Sequence, residues 1–256
     1  MGKYEDLFKA NEELAELVED IWKTRALALK TQAQIINVFF IVKACKTLRA
    51  ILHLCRLGYG EDAGILLRSL FELAVNSIYI GDNDELAQKY MDFEAVYLDG
   101  LTRGAAPNYM NEIFSADKLA EIAEAAEKAR RKHQYKSKHS WSSMGMKKMA
   151  IEADLGKDYA YFYPLVSELV HSTMGSSRHY IKIDPDSRLV SVMLSPSNNL
   201  MPQVLLTSGF LMVGIAGQWN SQFELGIENQ TKDIINRLME LKEEHVPTGA
   251  EQDKLS

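Results

Sequence analysis

The chain reads as an all-α protein, a multi-helix bundle with a small β-hairpin insertion near residues 180–194. Three observations predict this. Apolar residues recur at steps of three and four through several long segments, as one face of a helix requires. Gly, Asn, Asp and Ser clusters punctuate those segments at their ends. Strict alternation of apolar and polar residues occurs in one short pair of segments only. The segment 60–80, GEDAGILLRSLFELAVNSIYI, is the organising helix: Leu66, Leu67, Leu70, Leu73, Ala74 and Ile78 give it an apolar body. Arg68 and Glu72 interrupt that body one turn apart, where their side chains can meet.

In order, residues 4–23 form a first helix, with Leu7, Leu14, Leu17, Val18 and Ile21 on one face and glutamates on the other. Residues 26–57 read as one long helix, apolar over more than one face and therefore central or in contact with another chain. Gly58 and Gly60 end it. After the organising helix, Gly81 to Asp84 make a turn and cap for a helix over 85–101, and residues 104–108 break that helix. Ser115 caps a helix from 116 to 132. A short helix over 144–155 is closed by Gly156, and Asp158 starts another that runs to Thr173, with Pro164 in its first turns. Ser197 or Asn198 caps an apolar helix over 200–224, and residues 228–244 form a last amphipathic one. The chain is expected to be a single helical domain over 1–246, with a disordered tail at 247–256.

Composition bounds the function. The 256 residues are 46% hydrophobic and 25% charged, which excludes disordered and low-complexity classes. A net charge of −6 supplies no global attraction to nucleic acid or anionic membranes. The N-terminus is charged from Lys3 onward, so no signal peptide is expected. The apolar run 200–219 contains Pro202 and Gln203 and reads as a buried core helix rather than a membrane span. Cys45 and Cys55 are about 15 Å apart along one helix, too far to bridge, and suit a reducing cytoplasm. No metal or cofactor is expected, because HExxH, CxxC, glycine-rich phosphate loops and GxSxG elbows are missing from the sequence.

Two features carry chemistry. Tyr163, Ser167 and His171 fall at steps of four on one helix face. If that row faces Arg68 and Glu72, the five share a pocket: a histidine for proton transfer, an arginine for a phosphate or carboxylate and a tyrosine to hold or protonate a reacting group. The bland alternative is a buried salt bridge with its hydrogen bonds completed by His171 and Tyr163. The second feature is the basic run KARRKHQYKSKH followed by Trp141. Arg130, Arg131, Lys132, Lys136 and Lys138 read as a local phosphate-binding patch, with Tyr135 and Trp141 for stacking. Its ordinary counterpart is a solvated helix end. Of the other histidines, His179, just before the hairpin, is the one to keep in view.

The run GEDAGILLRSLFE, residues 60–72, resembles the opening of a bacterial family catalogued as domain of unknown function 5677. The later stretch from Tyr163 through Val166-Ser167 to His171 resembles that family's second signature. The resemblance covers roughly residues 26–222 and implies an all-helical prokaryotic domain with Arg68, Glu72, Ser167 and His171 as its marked positions. A more distant likeness is to the HEPN helical domains, many of them metal-independent RNases of toxin and antiphage systems. Those carry their arginine and histidine in one short motif. Here Arg49 and His53 are only three residues apart in between, and Arg68 and His171 would come from separate helices. Three functions follow as expectations: an RNA-cleaving or RNA-processing effector of a prokaryotic defence or toxin system, a non-catalytic binding module, and a hydrolase of a small phosphorylated or nucleotide ligand. The apolar helix 26–57 is expected to contact a second copy or a partner protein.

Overall fold

The computed structural model describes residues 2–104, 110, 112–137, 140–184 and 186–245. Its helices are α1 (Glu5–Thr24), α2 (Gln32–Arg56), α3 (Gly60–Ile80), α4 (Asp84–Gly104), α5 (Ala116–His133), α6 (Met146–Glu152), α7 (Gly156–Val170), α8 (Met201–Phe223) and α9 (Glu228–His245). Strands β1 (Ile181–Ile183) and β2 (Val190–Val192) pair antiparallel, with Ile181 opposite Val192. The all-α bundle with a hairpin insertion is therefore what the sequence forms.

Three helices, α2, α3 and α8, make the centre, and their apolar faces meet around Phe40, Phe71 and Trp219, all fully buried. The other helices cover this core: α1 and α9 pack on α8, α4 leans on α2, α5 pairs with α4, and α6 and α7 pack on α3. Polar anchors set the registers. Asn37 of α2 accepts from Ser77 Oγ of α3 at 2.6 Å and donates to the Gly81 carbonyl at 3.2 Å. Asn11 of α1 donates to the Leu205 carbonyl at 3.1 Å.

Several expected boundaries move, for local reasons. The long helix starts at Gln32, not at residue 26, because Thr31 caps it: its hydroxyl accepts from Gln34 N at 3.1 Å while Gln34 Oε1 accepts from Lys30 N at 2.8 Å. That reciprocal pair is a variant of the capping box. Gly60 opens α3 rather than ending α2, and Gly58 alone takes the left-handed φ, +82°. Gly156 likewise opens α7 instead of closing the helix before it. Pro164 consequently lies inside α7, not in its first turn, with an exposed side chain. Neither Ser197 nor Asn198 caps α8; Leu200, at φ +59°, precedes it without a side-chain cap. The expected break at 104–108 falls almost wholly, and the tail at 247–256 wholly, outside the described residues.

Both cysteines are free. Helix α3 is the one helix among the described residues long and apolar enough to cross a membrane, and 61% of its apolar window is buried inside the bundle. A core helix meets the same description, so length and composition alone carry little weight here.

Candidate functional site

The site forms where α3 and α7 pack. Leu67, Leu70 and Phe71 turn the apolar side of α3 inward, and Phe162 and Val166 do the same for α7. Phe71 meets Phe162 edge-on at 5.1 Å and Tyr163 at 5.4 Å. That seam leaves Arg68 and Glu72 on the flank facing Tyr163. Arg68 Nε donates to Glu72 Oε1 at 3.2 Å, and Tyr163 OH donates to the same oxygen at 3.2 Å. The Arg68 guanidinium lies 5.3 Å from the Tyr163 ring centre, and Tyr159 stacks on Tyr163 at 4.7 Å. The chain leaves α7 at His171, whose backbone N still bonds to the Ser167 carbonyl at 3.0 Å and so keeps the helical direction. Its Nε2 sits 3.1 Å from Arg68 Nη1.

An arginine has only donors. In this contact His171 Nε2 is the acceptor whenever the ring carries its proton on Nδ1. Burial works against the charge of Arg68, but Tyr163 and Glu72 beside it outweigh that and raise its pKa. Burial, then Glu72, pushes the Tyr163 phenol above its ordinary pKa, so it remains a proton donor. His171 is exposed, while Arg68, Glu72 and Tyr163 are half-buried.

Four of the five residues expected to share a pocket thus meet. Ser167 does not join them: its Oγ is buried and finds no hydrogen-bond partner among the described residues. The basic run fares differently. Trp141 is 7% exposed, donates Nε1 to Asn76 Oδ1 at 2.9 Å and meets Tyr90 edge-on, so it is a core anchor and not an open stacking platform. Tyr135 OH is tied to the Lys89 carbonyl at 2.6 Å. Arg130 bonds at 2.6 Å to Asp99, whose side chain is 2% exposed. Arg131 pairs with Glu127 and Lys132 with Asp92. Lys136 is exposed, and Lys138 lies outside the described residues.

A second polar cluster gathers around His179, whose partners the sequence did not reveal. Asn199 Nδ2 reaches Glu61 Oε1 at 2.9 Å and His179 Nδ1 at 3.1 Å, beneath the junction of α2 and α3. Glu61 and His179 are buried, and His179 Nε2 has no hydrogen-bond partner among the described residues. These residues come from three distant segments, so no spacing signal could have grouped them. Among the described residues, no three His, Cys, Asp or Glu side chains gather in a way that would hold a metal ion.

Fold and site together define an all-helical domain in which a half-buried Arg–Glu–Tyr cluster ends in an exposed histidine. The chain belongs to a family of unknown function (DUF5677), which matches residues 34–188, more than half of its length and every residue of the cluster. No curated protein and no solved structure matches it.

Proposed function

We propose that the chain is a metal-independent RNA-cleaving or RNA-processing protein of a prokaryotic defence or toxin system, with the α3–α7 cluster as its active site. The observation that carries this reading is the 3.1 Å contact between Arg68 Nη1 and His171 Nε2 at the protein surface, made by residues 103 positions apart. A phosphodiester oxygen that accepts from Arg68 takes the place of His171 on the guanidinium. The freed Nε2 lone pair then removes the ribose 2′-hydroxyl proton. The 2′-oxygen attacks phosphorus, the P–O5′ bond breaks, and the proton that His171 took passes from its imidazolium to the departing 5′-oxygen, which restores the ring. Arg68 holds the charge that builds on the phosphoryl oxygens, and Glu72 holds Arg68 and Tyr163 in place. Ser167 has no part in this scheme. The HEPN likeness enters only as shared chemistry, arginine with histidine, since the two residues here sit on separate elements.

The basic run contributes less than its composition suggests. Exposed ion pairs are worth ~0–1 kcal/mol, so Arg131 and Lys132 can exchange carboxylate for phosphate, and Lys136 is open. Arg130 is committed to the buried Asp99, and Trp141 to the core.

Wild-type protein with RNA and EDTA tests the reading. Cleavage that leaves 5′-hydroxyl and 2′,3′-cyclic phosphate ends is expected, because every proton in the scheme moves through side chains. RNA left intact, or cut only after a divalent metal is added, would overturn it. A second reading, a non-catalytic binding module, is favoured by one observation: Arg68 already has both an internal carboxylate and an internal imidazole as partners. It predicts no turnover and an Arg68→Ala variant that chiefly loses stability.

A further inference from the structure

Helix α2 carries no Asp or Glu. On one side it is covered by α1, an acidic amphipathic helix. There Arg56 pairs with Glu5 and Glu12, and Arg49 pairs with Glu19. The flank of α2 beside it repeats the same ingredients without a cover: Ile35 and Val42 precede Arg49 and Arg56 at steps of seven, and the stripe turns away from α1 toward Phe39 and Lys43. Ile35, Phe39 and Val42 stand 42–45% exposed, and Leu29 beside them is 47% exposed. They line an open groove of about 710 Å³ whose rim holds Lys43 and Lys46. Both lysines are exposed and have no carboxylate partner among the described residues. Lys43 Nζ lies 5.8 Å from the Phe39 ring centre, its stem along the apolar floor.

Positions 35, 39, 42 and 46 are spaced four, three and four, the rhythm of a helix–helix seam. An apolar patch of this kind marks a binding surface, and the helix-in-groove mode reads it through anchors at that spacing. Charge selects the occupant. A second copy laid on the groove through its own α2 would bring two more lysines and no carboxylate. A helix built like α1, with an apolar stripe flanked by glutamates, would neutralise both lysines. We infer that the open face of α2 docks an acidic amphipathic helix of another protein, about four turns long.

Two labelled synthetic peptides test this. Both are 18-residue helices with the same leucine stripe; one is flanked by glutamate and the other by lysine. Fluorescence anisotropy with full-length protein is expected to show the glutamate peptide binding at least about tenfold tighter, with affinity falling as salt rises. Phe39→Asp abolishes that binding, and the double variant Lys43→Glu with Lys46→Glu inverts the preference. All three positions are exposed, so melting temperatures of these variants are expected to match wild type. Equal binding of both peptides, or none, overturns the inference. So does light scattering that shows a dimer which Phe39→Asp converts to monomer, since the face would then belong to a second copy.

Discussion

His171 and His179 are eight positions apart and live in different settings. His171 is exposed at the end of α7, with its Nε2 against Arg68. His179 is buried against Asn199, and burial, with help from Arg178, holds its pKa below the ordinary value of 6.5 despite the opposing pull of Glu61 and Glu168. An unfolded chain therefore takes up this proton before the folded one does. That lowers stability as pH falls below about 6.5 and leaves it untouched above. Melting curves at successive pH values are expected to show this loss in wild type and a smaller one in His179→Gln. Equal slopes in the two proteins would remove His179 from the account. Asp99 works in the opposite sense. Burial alone would raise its pKa, but the hydrogen bonds from Arg103 and Arg130 outweigh it and hold the carboxylate ionised. Removing one partner of a buried pair leaves uncompensated charge. Asp99→Ala is expected to cost about 2–3 kcal/mol in urea unfolding, with the loss centred on the α4–α5 pair. The sequence shows none of this, because Asp99 and Arg130 sit on different helices and nothing local marks either as buried.

Among the elements, helices were legible where one face is apolar over several turns, and their ends were legible only where a side chain does the capping. Ser115 announces α5, and its hydroxyl accepts from Lys118 N at 3.2 Å. Thr31 does the same for α2, but the strong helix formers before it, Ala26 to Lys30, hid the cap. At the α2–α3 junction the decisive partner is remote. A Cβ on Gly60 would lie 2.1 Å from the Asn199 carbonyl oxygen, so only glycine lets the 196–200 segment pass. Gly60→Ala is expected to destabilise by about 2–4 kcal/mol and to break the Glu61–Asn199 contact, which an amide chemical-shift map would register. A variant as stable as wild type would show that this crossing is not needed. Facing polar rows on α3 and α7 were legible because both carry polar residues every fourth position on apolar helices. Ser167 belongs to the row by spacing yet not by contact, since a shared face does not fix how far each side chain reaches.

At the scale of the whole molecule, charge is distributed rather than focused. The net −6 is spread over helices in which 11 of the 27 described lysines and arginines pair with a carboxylate, among them Arg130, Arg131 and Lys132 of the run that reads as basic in sequence. Two local features stand out against that background: the exposed histidine that ends the α3–α7 cluster, and the lysine rim beside the apolar groove of α2. The bundle holds the first by the packing of Phe71 against Phe162 and Tyr163 of α7. On the proposed reading the cluster does chemistry rather than merely completing a core. Turnover of a defined RNA in EDTA by wild type and His171→Ala, with melting curves on the same samples, separates the two. His171 is exposed, so the variant is expected to melt within a few degrees of wild type and to lose cleavage by about 100-fold or more. A variant that cleaves as wild type does, or a wild type with no turnover beside a variant that melts far lower, would contradict the account and make the cluster a structural one.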